Sequence, residues 1–218
     1  MTDSAFDATR NYILSTTAAD ETLEAAARDA AEFGLSYPDS ITGSLLTALT
    51  SAALAGRPNA TRSVVAITPA AGVVGLYLLR GMAQGDHLTC IDSETEHQKL
   101  AKKAFQSVGL RPSQYRFLPS RPLEVMGRLN PGAYDVVYGD CRPTDLLAFV
   151  HAALPLLSPG GVLIIGDCLL DGIVGDESRT DRDTVAAREA DEYVRSLDGV
   201  TVSRLPLSGG LTIIAKQE

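Results

Sequence analysis

Apolar positions along this chain follow a helical period first and then switch to alternating strand-like and helical runs. Through residues 1–35, alanines and leucines alternate with acids at helical spacing. Asp20 is placed to cap a helix running through Glu32, with Glu21 and Glu24 in its positively polarised first turn, and Gly34 to stop it. Tyr37-Pro38-Asp39-Ser40 reads as a turn before a helix over roughly residues 41–55, which Gly56-Arg57-Pro58-Asn59 breaks. Strands are then predicted at 63–68, 87–91, 114–118, 134–138 and 162–165. Helices are predicted at 72–82, 94–108, 122–129, 145–157 and 181–197. The last two apolar runs, 200–206 and 211–215, flank Ser208-Gly209-Gly210 and read as a hairpin. The pattern is an α/β, Rossmann-like doubly wound sheet, mostly parallel, with a C-terminal antiparallel hairpin. It predicts a single domain, with a helical N-terminal extension over 1–58 and the core over 59–218.

Two strands carry more than packing. Tyr134-Asp-Val-Val-Tyr-Gly-Asp140 and Leu156-Leu-Ser-Pro-Gly-Gly-Val-Leu-Ile-Ile-Gly-Asp167 are apolar runs that each end in an acid. Helical spacing between them makes a βαβ unit, so both carboxylates fall on the rim where open parallel sheets bind ligands. Composition narrows the partner. A net charge of −8 argues against a nucleic-acid backbone as the main partner, which wants a basic face. Cys90, Cys141 and Cys168 show no zinc-like spacing and fit a reducing compartment. Neither a basic-then-apolar leader nor a membrane-length apolar run is visible, so a cytoplasmic protein without a membrane partner is expected.

The ordered motifs resemble the small bacterial and plant O-methyltransferases of the catechol and caffeoyl-CoA type. The residues that carry the likeness begin with Ile91-Asp92 and Glu96-His97-Gln98, then Tyr134-Asp135-Val136-Val137 and Leu157-Ser-Pro-Gly-Gly161. Asp167 with Leu170-Asp171-Gly172-Ile173-Val174, Arg182-Asp183-Thr184-Val185-Ala186, and Leu205-Pro206-Leu207 with Gly209-Gly210-Leu211 continue it, so the match covers about residues 30–216. The resemblance implies the class I methyltransferase fold, S-adenosylmethionine as cofactor, a small-molecule acceptor and a homodimer. In many members a divalent cation such as Mg²⁺ orients the acceptor.

Carried over position by position, the resemblance also exposes departures. After the first strand the family shows an acid and then a glycine-rich loop. Here the acid's place is Ala66, and of the glycines Gly72 remains in Thr68-Pro69-Ala70-Ala71-Gly72. Thr68, Ala70 and Gly72 are expected to hold the methionine end of the cofactor, with close helix packing an equal reading for Gly72. Asp92 follows the second strand, where a carboxylate can accept from both ribose hydroxyls, with Ser93 beside it; the alternative is an N-cap for the next helix. Arg121 stands after the third strand, beside the adenine or facing solvent. Asp140 is the candidate catalytic residue and a possible contact for the cofactor. Asp140 and Asp167 are the candidate metal ligands, but Cys168 stands where the family places an asparagine, and a thiol suits Mg²⁺ poorly. The family's lysine is absent from Cys141-Arg142-Pro143-Thr144. Tyr37, Tyr138 and Arg142 are candidates for the acceptor pocket. The expected function is S-adenosylmethionine-dependent methyl transfer to a hydroxyl. The eroded loop and missing lysine raise one alternative, a methyltransferase fold that binds a ligand or partner without turnover.

Overall fold

The computed structural model describes residues 4–55 and 62–217. The helix break expected at Gly56-Arg57-Pro58-Asn59, and the boundary between extension and core, lie outside the described residues. The extension holds α1 (Ala5–Thr16), α2 (Glu21–Glu32) and α3 (Ser40–Ala55). Asp20 caps α2 as its position suggests, accepting the Leu23 N–H at 3.0 Å. Leu23, Ala26 and Ala30 form its buried stripe, while α1 buries no residue at all.

The core follows as β1 (Ser63–Ile67), α4 (Ala71–Arg80), β2 (His87–Ile91), α5 (Thr95–Ser107), β3 (Tyr115–Leu118) and α6 (Pro122–Met126). It continues through β4 (Tyr134–Gly139), α7 (Leu146–Ala153), β5 (Leu157–Ile165), α8 (Arg182–Arg195), β6 (Val200–Leu205) and β7 (Leu211–Lys216). These strands make one seven-stranded sheet in the order β3-β2-β1-β4-β5-β7-β6. All neighbours are parallel except β7, which runs antiparallel to both β5 and β6. Because side chains alternate across a strand, β1 feeds both layers. Val64 and Ala66 join the core with α2, α3, α4 and α5, while Val65 and Ile67 join the one with α6, α7 and α8.

Two elements differ from expectation for local reasons. The helix expected over 145–157 ends as α7 at Ala153, and a single 3₁₀ turn, Leu154–Leu156, holds Pro155, which has no N–H to continue the α ladder. The Pro-Gly-Gly turn lies inside β5 rather than before it. Leu157 pairs with Tyr134, the chain makes an irregular excursion with Gly160 at φ +72°, and Val162 resumes opposite Val136. A buried carboxylate braces this point. Asp135 accepts from the Ser158 hydroxyl at 2.9 Å and from the Ser63 N–H at 3.0 Å, joining β1, β4 and β5.

Candidate functional site

The chain turns outward in opposite directions from β1 and β4, so the carboxyl ends of these neighbours diverge and leave a crevice. There lies a cleft of about 600 Å³, lined by Thr68 and Pro69 after β1, Asp92 and Ser93 after β2, Arg121 before α6, and Asp140 and Arg142 after β4. Its size suits a cofactor-sized ligand, since such sites run from about 300 to 1,000 Å³.

Asp140 prolongs the ladder beyond β4, its N–H donating to the Ile67 carbonyl at 2.9 Å. Burial pushes its carboxyl up to about 7, and the nearby Asp167 carboxylate adds to the rise. The buried Tyr138 phenol is also driven well above its ordinary value, first by burial and then by Asp140 and Asp167. Asp167 sits behind the cleft in the left-handed region, φ +51°, and accepts the Gly209 N–H at 2.9 Å. That bond ties the end of β5 to the turn before β7.

The third position of the expected metal set turns away from the two carboxylates. Cys168 turns its thiol into the core beside Leu146, Val150 and Ala187, 3.2 Å from the Thr212 hydroxyl and 3.4 Å from the Gly210 carbonyl. Burial raises that thiol to about 11, keeping it protonated. Among the described residues, no three His, Cys, Asp or Glu side chains are placed to hold a metal ion. Asp140 and Asp167 remain as neighbouring carboxylates without a third side-chain donor among the described residues, so Mg²⁺, which takes one or two carboxylates and keeps several waters, would have to complete its shell with water.

On the opposite lip, Asp92 does not cap α5, whose first turn has no side-chain cap. Its Oδ2 instead lies 2.6 Å from His97 Nδ1, and the Gln98 side-chain amide donates to its carbonyl at 2.9 Å. Spacing alone gave His97 no role. The signal was a carboxylate five positions upstream, just across a helix N-terminus.

Other expected residues separate. Thr68 and Ser93 line the cleft, whereas Ala70 and Gly72 face a small recess with His97 and Pro69. A β-carbon at Gly72 would meet the Ala101 backbone at 3.4 Å, an ordinary contact, so α4 packs against α5 here without requiring a glycine. Arg121 reaches the rim but is exposed beside Glu124, 3.7 Å away. Arg142 is paired with Asp145 through two N–H donors, at 2.9 and 3.2 Å. Tyr37 lies on a separate groove between the N-terminal helices and α4, away from the cleft. Ala66, where the family has an acid, is fully buried among apolar side chains.

Comparison with known proteins agrees with this architecture. A methyltransferase-domain family model matches residues 69–168. A Mycolicibacterium vanbaalenii protein named as an O-methyltransferase is 37% identical over 198 residues, covering 90% of this chain and 85% of its own. A crystal structure from Corynebacterium glutamicum is 52% identical, with a TM-score of 0.94 and coverage of 99% of this chain and 98% of that one. The O-methyltransferase TomG from Streptomyces achromogenes, solved in complex with S-adenosylmethionine, has the same fold. It is 22% identical, with a TM-score of 0.84 and full coverage of both chains.

Proposed function

This chain belongs to the O-methyltransferases, and from that premise we propose that its cleft binds S-adenosylmethionine and that Asp140 receives the proton of a small-molecule hydroxyl. When bound, S-adenosylmethionine supplies a methyl group on a sulfonium that leaves as a neutral thioether. The observation that carries the reading is the pairing of two carboxylates, Asp92 and Asp140, on opposite lips of one cleft at the sheet's switch point.

Asp92 can accept from the ribose hydroxyls because its Oδ1 has no hydrogen-bond partner among the described residues. The Thr68-Pro69 turn flanks the methionine end, Ser93 supports the ribose side, and Arg121 borders the adenine side from the rim. Asp140 performs the proton transfer. With its carboxyl raised to about 7, it is partly ionised at neutrality and basic enough to accept from a hydroxyl whose acidity grows as the C–O bond forms. The partly enclosed cleft also aligns the acceptor oxygen with the methyl carbon and limits water.

The protein acts as a homodimer in the cytoplasm. Support for self-association comes from α1, which buries nothing and exposes Phe6, Tyr12 and Ile13. No helix among the described residues is long and apolar enough to cross a membrane. Calorimetric titration with S-adenosylhomocysteine, followed by a hydroxylated-acceptor screen with radiolabelled cofactor, tests the reading. Micromolar binding and label transfer are expected. Absence of binding up to millimolar ligand would return the chain to the alternative of a fold without turnover.

A further inference from the structure

We propose that His97 is a positioning residue that sets the Asp92 carboxylate for the ribose of the cofactor. The inference rests on the reading above that Asp92 meets that ribose. An ionised carboxylate can only accept, so the ring nitrogen 2.6 Å from Oδ2 is the protonated one, and His97 donates through Nδ1. Both side chains are only 16% exposed, so water competes weakly for this bond. The bond occupies Oδ2 and leaves Oδ1 as the acceptor offered to the cleft.

The imidazole is itself held. Phe33, at the end of α2, meets it edge-on, with ring centroids 6.3 Å apart at 88°. Its other surroundings include the recess of Pro69, Ala70 and Gly72, with Asp29 at the same recess drawn to Lys103 at 2.7 Å. Gln98, the next residue, grips the Asp92 carbonyl. One turn of α5 thus fixes Asp92 at both its backbone and its carboxylate, and freezing a carboxylate before binding lowers the ordering cost at the moment of binding. Ala66 contributes no carboxylate and Pro69 contributes no N–H in the loop across the cleft, so a larger share of cofactor orientation falls on Asp92.

The test is a double-mutant cycle on the full-length protein, read by calorimetric titration with S-adenosylhomocysteine and by thermal melting of each variant. Asp92→Asn is expected to weaken binding on its own. His97→Leu is expected to weaken it about tenfold, the loss of a charge-assisted hydrogen bond. His97→Asn, whose amide N–H stands near the old Nδ1, is expected to stay within about threefold of wild type. The double variant Asp92→Asn/His97→Leu should bind no more weakly than Asp92→Asn alone. The KM for S-adenosylmethionine should rise in His97→Leu while kcat at saturation holds. If the two single losses multiply in the double variant, or if His97→Leu binds like wild type, His97 does not act through Asp92. If Asp92→Asn itself binds normally, the ribose reading fails and takes this proposal with it. Should His97→Leu melt before titration, His97→Gln, whose amide lies at the Nε2 position, carries the same comparison. It is expected to lose affinity while His97→Asn retains it, and equal affinity in the two would overturn the proposal.

Discussion

Asp140 is where local physics has the clearest consequence for chemistry. Its carboxyl is raised from 3.8 to about 7 by burial and then by Asp167, so as a proton acceptor it works only above that value. The rate of methyl transfer at saturating substrates should therefore climb through about pH 7 and then level off. Asp140→Asn should lose about a hundredfold in kcat and flatten the profile, as expected for removal of a general base. Stability should run the other way. A raised folded-state pKa contributes stability that is complete below the unfolded value near 4 and is lost as pH rises through about 7. Asp140→Asn should consequently be more stable than wild type at pH 8, by on the order of 2 kcal/mol after allowing for partial solvation, with the advantage shrinking as pH falls below about 7 and gone near pH 4. A variant less stable than wild type at pH 8 would refute the burial argument. Metal removal tests the neighbouring residue. With Cys168 bonded into the core, dialysis against a chelator should leave turnover within about twofold, and a loss restored by Mg²⁺ would show that Asp140 and Asp167 hold the ion with water in place of a third side chain. The family resemblance set Cys168 at an asparagine position but did not show where the thiol would point. That direction depends on Thr212, distant in the chain yet only 3.2 Å away.

Elements were legible wherever period and punctuation agreed. Asp20 and Gly34 mark helix ends by chemistry that acts within three residues, and the structure uses both. The strands at 63–67, 87–91 and 211–216 fall within a residue of their apolar runs. Contacts between elements left no comparable trace. Gly43 reads in the sequence as an ordinary small residue within a helix. In the fold, a β-carbon there would sit 2.2 Å from the Tyr77 ring, so α3 and α4 approach closely at this position. Gly43→Ala is expected to cost about 1–3 kcal/mol by overpacking, although alanine is the better helix former. Differential scanning calorimetry would register that as a drop of roughly 2–12 °C, given about 2–4 °C per kcal/mol at this chain length. An unchanged or raised melting temperature would mean that Tyr77 can yield. Asp92 shows the same limit from the other side. Its place after β2 could be read from the sequence, but the choice between capping α5 and bonding His97 depends on how the first turn of the helix is set.

At the scale of the whole molecule, the unsolved surface is α1. Its capping box at Ser4 and Asp7 makes it a well-formed helix, yet it contributes nothing to either core and exposes Tyr12 to 69% and Phe6 to 50%. An ion pair from Arg10 to Asp39, 2.7 Å long, is a partly exposed tether to the start of α3 and worth little by itself. Helices with so little tertiary support are marginal in water, so an ordered α1 needs another surface, and in this reading a second copy supplies it. The chain's charge of −8 opposes that association, while burial of aromatic and aliphatic side chains favours it. The two effects separate with salt. Raising ionic strength from about 0.05 to 0.5 M screens the repulsion and leaves the apolar contact intact, so the dimer should tighten. Sedimentation equilibrium should give two chains per particle, and Phe6→Asp/Ile13→Asp should give one. Cofactor affinity should stay the same in that variant, because α1 does not line the cleft. A wild-type protein that sediments as a single chain at both salt concentrations, or a charged variant that still pairs, would remove α1 as the interface and leave its order to be explained by the Asp39 tether alone.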